Sequence, residues 1–492
     1  MRVLETTLRT AMYACFGFGM SYNVVLLLWG RLSLKFLSQQ RPSVRQAPMS
    51  HVRADGLLPG VSMVVPAFNE ELLIVDAVRS LFEQDYPDIE VIVVSDGSTD
   101  ATVQQLVDAF DMNRMLGPVV HGPIPTKPIR AVYRSKSEPR IVVVDKDPSG
   151  SKADGSNCAI NYASKAWCAV MDADELVDRQ AVLKCMTAAM STPGNVVGVG
   201  VTLLPTNHCE VHNWQVTKAI SSTNAWVGFQ TIEYLGAFLL SRPGMSLVGA
   251  LPIVSGGFGV FRRDALERVG GYTHGSLGED LDIVVRLHRM FLEASEVYRI
   301  IQVPEAVVWT QFPDSYAVLK RQRVRWHRGL RQVIVAHGCT VGRRRYSTFG
   351  TRGMAHLFVF EWLGVMVEGL GYVLTVVLVA LGMIRPLAII PLFCAAQAFG
   401  TCVTVMSVRT CARALNVYRG KRNMARLLMW AVLSQFGYHQ LSVWWRLRSL
   451  FKGGTGWGVM PRHAFGTAAQ TPAPATTQTG AASASSSTAS AA

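Results

Sequence analysis

The sequence predicts an α/β domain on a mostly parallel, doubly wound sheet, joined to an α-helical transmembrane region. Three observations predict it. Between residues 56 and 313, short apolar runs that end on polar residues alternate with helical stretches. Long uncharged apolar runs lie on both sides of that stretch. The charge is also divided: residues 1–314 hold 27 Lys+Arg and 32 Asp+Glu, whereas residues 315–492 hold 21 and 2. The whole chain, 492 residues with 49% hydrophobic and 17% charged, is too apolar for a disordered protein. Its formal charge of +14 fits either basic loops beside a membrane or nucleic-acid binding. The basic residues cluster beside apolar helices, without a nucleic-acid module, so no nucleic-acid partner is expected.

The elements follow in order. Ala11 to Trp29 carries no charge and precedes Arg31, Lys35, Arg41, Arg45 and Arg53. It reads as a transmembrane helix and not a cleaved signal, because the basic residues follow it and no small-residue cleavage site ends it. Residues 1–55 are therefore a span and a basic linker, with the N-terminus outside and the next region cytoplasmic. Val61-Ser-Met-Val-Val65, Glu90-Val-Ile-Val-Val-Ser95, Ile141-Val-Val-Val144 and Ala169-Val-Met171 read as four buried strands, with a helix over Glu70 to Glu83. Ligands bind beyond the carboxyl ends of such strands, so the polar residues there are the candidates.

Residues 314–352 hold an amphipathic helix, Ser315 to His337, in a stretch without acids after Asp314. Residues 353–452 hold the apolar runs Gly353–Ile384 and Leu387–Val408, which read as spans. A third run, Leu427–Trp445, is interrupted by Gln435, His439 and Gln440 and either spans or lies in the interface. Four spans place the C-terminus outside and the basic stretch 409–426 in the cytoplasm. Residues 453–466 form a loop containing Trp457, and residues 467–492 a disordered Ala/Ser/Thr tail. No repeat is visible. The nine cysteines show no C-x-x-C spacing and read as free thiols.

Four motifs carry chemistry. Asp96-Gly-Ser-Thr-Asp100 follows the second strand, although a strand-to-helix turn with a capping acid also explains it. Asp172 and Asp174 follow the fourth strand and can reach one hard cation, which favours a few carboxylates plus phosphate oxygens. Glu279 and Asp280 open a helical stretch, as a first-turn acid pair or as a general base. Gln322, Arg325 and Trp326 stand at i, i+3 and i+4 on one helix face, bringing together an amide, a guanidinium that pairs with phosphate and an indole that stacks on sugar. Glu361 and Glu368, seven residues apart in the first C-terminal apolar run, either line a polar path or, for Glu361, lie at the interface.

In this order the motifs resemble the membrane-embedded family-2 glycosyltransferases, which include cellulose, chitin, hyaluronan and poly-N-acetylglucosamine synthases. The resemblance covers roughly residues 60–330. It rests on Pro66-Ala-Phe-Asn-Glu70, Asp96-Gly-Ser98, Lys152-Ala-Asp-Gly-Ser-Asn157, Asp172-Ala-Asp174, Ser255-Gly-Gly-Phe-Gly-Val-Phe-Arg-Arg-Asp264, Glu279-Asp280 and Gln322 to Trp326. It implies a GT-A catalytic domain over residues 56–313. Pro66, Asn69, Glu70, Asp96, Lys152, Asp172 and Asp174 would bind a UDP-sugar, with Mg²⁺ or Mn²⁺ on Asp172 and Asp174. Asp280, with Glu279, would be catalytic. Gln322, Arg325 and Trp326 would hold acceptor and diphosphate.

The resemblance further implies transfer of a hexosyl or N-acetylhexosaminyl unit, with inversion, to a growing β-linked polysaccharide at the inner membrane. Membrane lipids and export proteins would be partners. Single-sugar transfer to a lipid acceptor is the alternative. Two positions depart from the relatives. Gly278 stands where many carry Thr, and Gly155-Ser156 where many carry Ala-Leu.

Overall fold

The computed structural model describes residues 2–46, 58–116, 122–415 and 417–451. Arg53, the 453–466 loop and the 467–492 tail lie outside the described residues. The chain opens with one helix, α1 (Arg2–Gln46), so the helix continues through the basic residues expected in a linker.

The α/β part holds a ten-stranded sheet. Its strands are β1 (Val61–Ala67), β2 (Ile89–Asp96), β3 (Met112–Arg114), β4 (Ile129–Ser135), β5 (Ile141–Lys146), β6 (Trp167–Met171), β7 (Glu175–Val177), β8 (Val196–Pro205), β11 (Phe258–Arg262) and β12 (Arg299–Thr310). A separate hairpin pairs β9 (Glu210–His212) with β10 (Gln215–Lys218). The order across the sheet is β3-β4-β5-β2-β1-β6-β11-β8-β12-β7. Strands β5, β2, β1 and β6 are parallel, as are β8 and β12, while β11 runs antiparallel between β6 and β8.

Every residue of β1 is buried, because helices cover both faces of the sheet. Val61, Met63 and Val65 face α2 (Ile74–Phe82) and its core, whereas Val64 packs with Ile92, Val94, Cys158 and Ile160 on the other face. The helix expected from Glu70 begins only at Ile74. Residues 70–73 form a turn in which the Glu70 N–H bonds the Thr102 hydroxyl at 2.9 Å.

Register builds the site. Ala67 pairs with Ser95, the Asp96 step pairs with Lys146, and Met171 pairs with Phe258. The carboxyl ends of β1, β2, β5 and β6 and the start of β11 therefore share one sheet edge. The segments 66–70, 146–152, 172–174 and 255–257 leave from it.

Among the described residues, three helices are long and apolar enough to cross a membrane by length and composition: Arg2–Ser38, Phe349–Ala380 and Pro386–Ala414. The run Leu427–Trp445 is broken into Lys421–Leu433 and His439–Arg448, with non-helical backbone at Phe436 and Gly437. Gly437 sits at φ +89°, a conformation that costs glycine little, and polar Gln435, His439 and Gln440 surround the break. All nine cysteines are free thiols.

Candidate active site

A cavity of about 1340 Å³ opens at the sheet edge and runs on between the membrane-type helices. Pro66, Asn69, Glu70, Asp96, Lys152, Asp172, Asp174, Glu279, Asp280, Gln322, Arg325 and Trp326 all line it. Residues spread over 260 positions of sequence thus meet in one space.

At one end, Asp96 is the last residue of β2 and is nearly buried. Its carboxylate is already engaged. It forms an ion pair with Lys146 and accepts the Ser149 hydroxyl at 2.7 Å. Lys146 is fully buried and also meets Asp154 Oδ1 at 2.7 Å. A buried cation is sustained only by such paired carboxylates. Lys146, Ser149 and Asp154 were not among the sequence candidates, although the end of β5 beside Asp96 is where a partner had to be. Asn69 adopts φ +55°, and its side chain accepts the Thr99 N–H at 2.8 Å, tying the turn after β1 to the turn after β2. Gly155 lies against Pro66. A Cβ there would stand 3.1 Å from Pro66 Cβ.

The carboxylate cluster comes next. Lys152 heads a helix, Lys152–Tyr162, and aims its ammonium into the cluster. Its Nζ donates to Gly256 O at 2.6 Å and to Asp172 Oδ1 at 2.7 Å, and stands 3.8 Å from Asp280 Oδ1. Burial opposes the charge on Lys152, but Asp172, Asp280 and Glu279 outweigh it and hold the ammonium well above the usual lysine range. Burial, with Glu279 and Asp172 beside it, pushes the Asp280 carboxyl well up against the pull of Lys152 and Arg325. Burial and the adjacent Asp172 and Asp174 do the same to Glu175.

Glycines allow this crowding. A Cβ on Gly257 would lie 1.9 Å from Glu175 Oε1, and one on Gly256 2.7 Å from Asp280 Oδ2. Glu175 Oε2 and Glu279 Oε2 are buried without a hydrogen-bond partner.

Asp172, Glu279 and Asp280 thus gather around the ammonium of Lys152, with Glu175 and Asp174 beside Asp172 and Arg325 acting on Asp280. Surplus negative charge with orphaned oxygens fits a divalent cation. Among the described residues no three acidic, His or Cys groups converge closely enough to hold a metal unaided. Asp172 and Asp174 are therefore suited to a cation completed by phosphate oxygens.

The opposite wall is the helix Tyr316–His337. Gln322, Arg325 and Trp326 face the cavity from it, as their spacing requires. Gln322 Oε1 is buried there without a hydrogen-bond partner. Trp326 stays 38% exposed, with Arg323 stacked 4.5 Å from its ring centroid. Arg323 is anchored by Glu233 at 2.5 Å. Beyond this wall the cavity continues past Tyr22, Glu361, Glu368, Tyr372, Gln397, His439 and Arg446. Glu361 accepts the Tyr22 hydroxyl at 2.7 Å, and Glu368 meets His439 Nε2 at 2.7 Å.

Comparison with known proteins agrees with this geometry. The family model described as "Glycosyl transferase family 2" matches residues 62–270, and "Glycosyl transferase family group 2" matches residues 167–403. A poly-β-1,6-N-acetyl-D-glucosamine synthase of Staphylococcus epidermidis is 25% identical over 306 residues, 61% of this chain and 60% of that protein. One from Staphylococcus aureus strain COL is 24% identical over 353 residues, 70% of this chain and 71% of that protein. The chain thus spans well under two thirds of the S. epidermidis relative's length. A mannosyltransferase from Pyrobaculum calidifontis, solved with GDP-Man and Mn²⁺, shares the fold: its TM-score is 0.54 at 20% identity, covering 88% of this chain and 99% of that one. With a GT-A fold, two family-2 models that match parts of the chain and a cavity lined by the expected motifs, the chain is similar to the family-2 glycosyltransferases, among which it resembles the poly-β-1,6-N-acetyl-D-glucosamine synthases.

Proposed function

We propose that this protein transfers a hexosyl or N-acetylhexosaminyl unit from a UDP-sugar, with inversion, to a growing β-linked polysaccharide, and passes the product between its membrane helices. The observation that carries this reading is the continuity of one cavity from the acidic cluster to the polar residues Glu361 and Glu368. A site that transfers one sugar to a soluble acceptor has no need of such a path.

The chemistry assigns roles. The Asp280 carboxylate takes the proton of the acceptor hydroxyl as its oxygen bonds to the anomeric carbon. The bond to the diphosphate breaks on the opposite face, and the electron pair leaves with UDP. Lys152 and Arg325 stabilise the charge gained by the leaving group. A divalent cation held by Asp172, Asp174 and phosphate oxygens would supply further charge there. Trp326 offers the acceptor sugar an apolar face. Asp96, with Lys146 behind it, presents a fixed carboxylate at the nucleotide end.

The relatives' product makes UDP-N-acetylglucosamine the first donor to assay. The enzyme would work as a multi-pass membrane protein with this domain in the cytoplasm.

A second reading, transfer of one sugar to a membrane lipid, draws on the apolar wall of the cavity at Phe16, Phe18, Leu26 and Phe360. Purified protein incubated with a panel of radiolabelled UDP-sugars separates the two. A long water-soluble polymer supports the first. A single solvent-extractable glycolipid overturns it.

A further inference from the structure

We propose that His337 is a positioning residue: through Asp282 it locks the helix that carries Asp280 onto the helix that carries Gln322, Arg325 and Trp326, and so sets the spacing between base and acceptor. This rests on the transfer proposed above, because it assigns those groups to one reaction. The two helices, Glu279–Glu293 and Tyr316–His337, belong to separate parts of the chain. Sheet register does not align them, so something else must.

Three contacts do, and they flank Asp280 on both sides. The first is a backbone-to-backbone approach. A Cβ on Gly329 would stand 2.7 Å from Leu277 O and 2.8 Å from Gly278 N, and one on Gly278 would stand 3.0 Å from Gly329 C. A side chain at position 278 would press on the Gly329 backbone, so glycine here lets the two helices meet closely. In the second, the Leu277 N–H donates to Gln332 Oε1 at 2.9 Å. In the third, His337 Nε2 lies 2.8 Å from Asp282 Oδ1, with both side chains buried.

The third contact has a defined polarity. Arg289 Nη1 lies 3.0 Å from His337 Nδ1, and a guanidinium can only donate. His337 Nδ1 is therefore the acceptor, its Nε2 carries the proton, and that N–H donates to Asp282. The Thr273 hydroxyl donates to the other Asp282 oxygen, and Arg286 stands 3.8 Å away. Burial would raise the Asp282 carboxyl, but the bonds from His337 and Thr273 hold it below its usual range, so it stays an ionised acceptor.

Positions 322, 325, 326, 329 and 332 continue one stripe of the helix, and 337 closes its last turn. The face that presents the acceptor platform runs directly into the face that grips the base helix. A shift of about 1 Å between reacting groups costs on the order of 10²-fold in rate. A group that fixes this spacing controls turnover without touching substrate.

The test uses the full-length protein in lipid nanodiscs with the UDP-sugar found active for the wild type. His337→Leu keeps the volume and removes both polar contacts, whereas the His337→Gln amide keeps one donor and one acceptor. His337→Leu is expected to lower kcat by about 10–100-fold, with donor KM and UDP affinity within about twofold, and His337→Gln to recover most of the loss. The proposal is overturned if His337→Leu turns over normally, if UDP affinity falls together with kcat, or if the Gln variant is as impaired as the Leu variant. A wild type that transfers no sugar would instead overturn the reading on which this rests.

Discussion

The sheet edge and the membrane-side path handle carboxylates in opposite ways. At the sheet edge Asp172, Glu175, Glu279 and Asp280 crowd around Lys152, and burial with mutual repulsion pushes Asp280 and Glu175 upward. Along the helices two acids stand apart, each with partners of its own. Glu361 has Tyr22 at 2.7 Å, His356 at 3.8 Å and Arg446 at 3.9 Å, whereas Glu368 has His439 at 2.7 Å and the Tyr372 hydroxyl. The first region concentrates negative charge and suits cations and proton transfer. The second is close to neutral, which suits the passage of an uncharged polar chain. The same residue type is thus crowded in one place and separately partnered in the other.

The largest expected effect lies in the crowded region. Asp280→Asn removes the proton acceptor and should lower transfer by about 10²–10⁴-fold, while UDP binding, measured by calorimetry, stays within about twofold. Near-normal turnover would take the base role from Asp280. Next comes Gly257→Ala. Its methyl would meet Glu175 Oε1 at 1.9 Å, and overpacking of this kind costs about 1–3 kcal/mol. The expected result is a lower thermal midpoint together with a large loss of donor binding, since β6 and β11 must part at the cluster. An unchanged midpoint would mean that the acids have room to move, against the crowding described here.

The helical region should respond more mildly. Glu368→Gln removes one charge but keeps a hydrogen-bonding group of the same shape. Transfer of the first sugars should stay within about threefold on that ground, since no reacting atom is touched, whereas the length of product per chain should fall. An early-rate loss as deep as that of Asp280→Asn would erase the distinction between the two regions.

These regions were also unequally legible in the sequence. Apolar runs that stop at Pro66, Asp96 and Asp172 mark strand ends, and parallel strands bring such ends together whatever lies between them. That is why Pro66, Asn69, Glu70, Asp96, Lys152, Asp172 and Asp174 share one cavity, whereas the helix residues Glu279, Asp280, Gln322, Arg325 and Trp326 reach it by helix packing. What stayed hidden was set by partners remote in the chain. Lys146 pairs with Asp96, 50 residues earlier, and His337 with Asp282, 55 residues earlier. Glu175 stood beside the motif, but its burial depends on the backbone of Gly257. The break at Gly437 was signalled by the polar residues around it. Its outcome, two short helices and not one, depends on the positive φ that this glycine adopts.

A contrast in stability, apart from transfer, concerns histidine, which the two regions also treat differently. On the path, His439 faces the carboxylate of Glu368. Further along the helix that carries Asp280, His288 is buried with neutral neighbours: the Tyr298 hydroxyl at 2.6 Å, Leu251 O at 2.8 Å and the Phe349 ring stacked at 3.9 Å between centroids. Burial therefore drops His288 from 6.5 to about 4. Between those values the unfolded chain binds a proton that the folded one refuses, so stability is full above pH 6.5 and falls as pH falls toward 4. At about 1.4 kcal/mol per pKa unit the loss is of order 3 kcal/mol. Thermal midpoints of the solubilised protein between pH 7 and pH 4.5 should decline more steeply for the wild type than for His288→Gln, which has no proton to gain. Parallel curves would show that His288 is not held neutral by its burial. The contrast between a histidine kept neutral by apolar walls and one facing a carboxylate would then be lost.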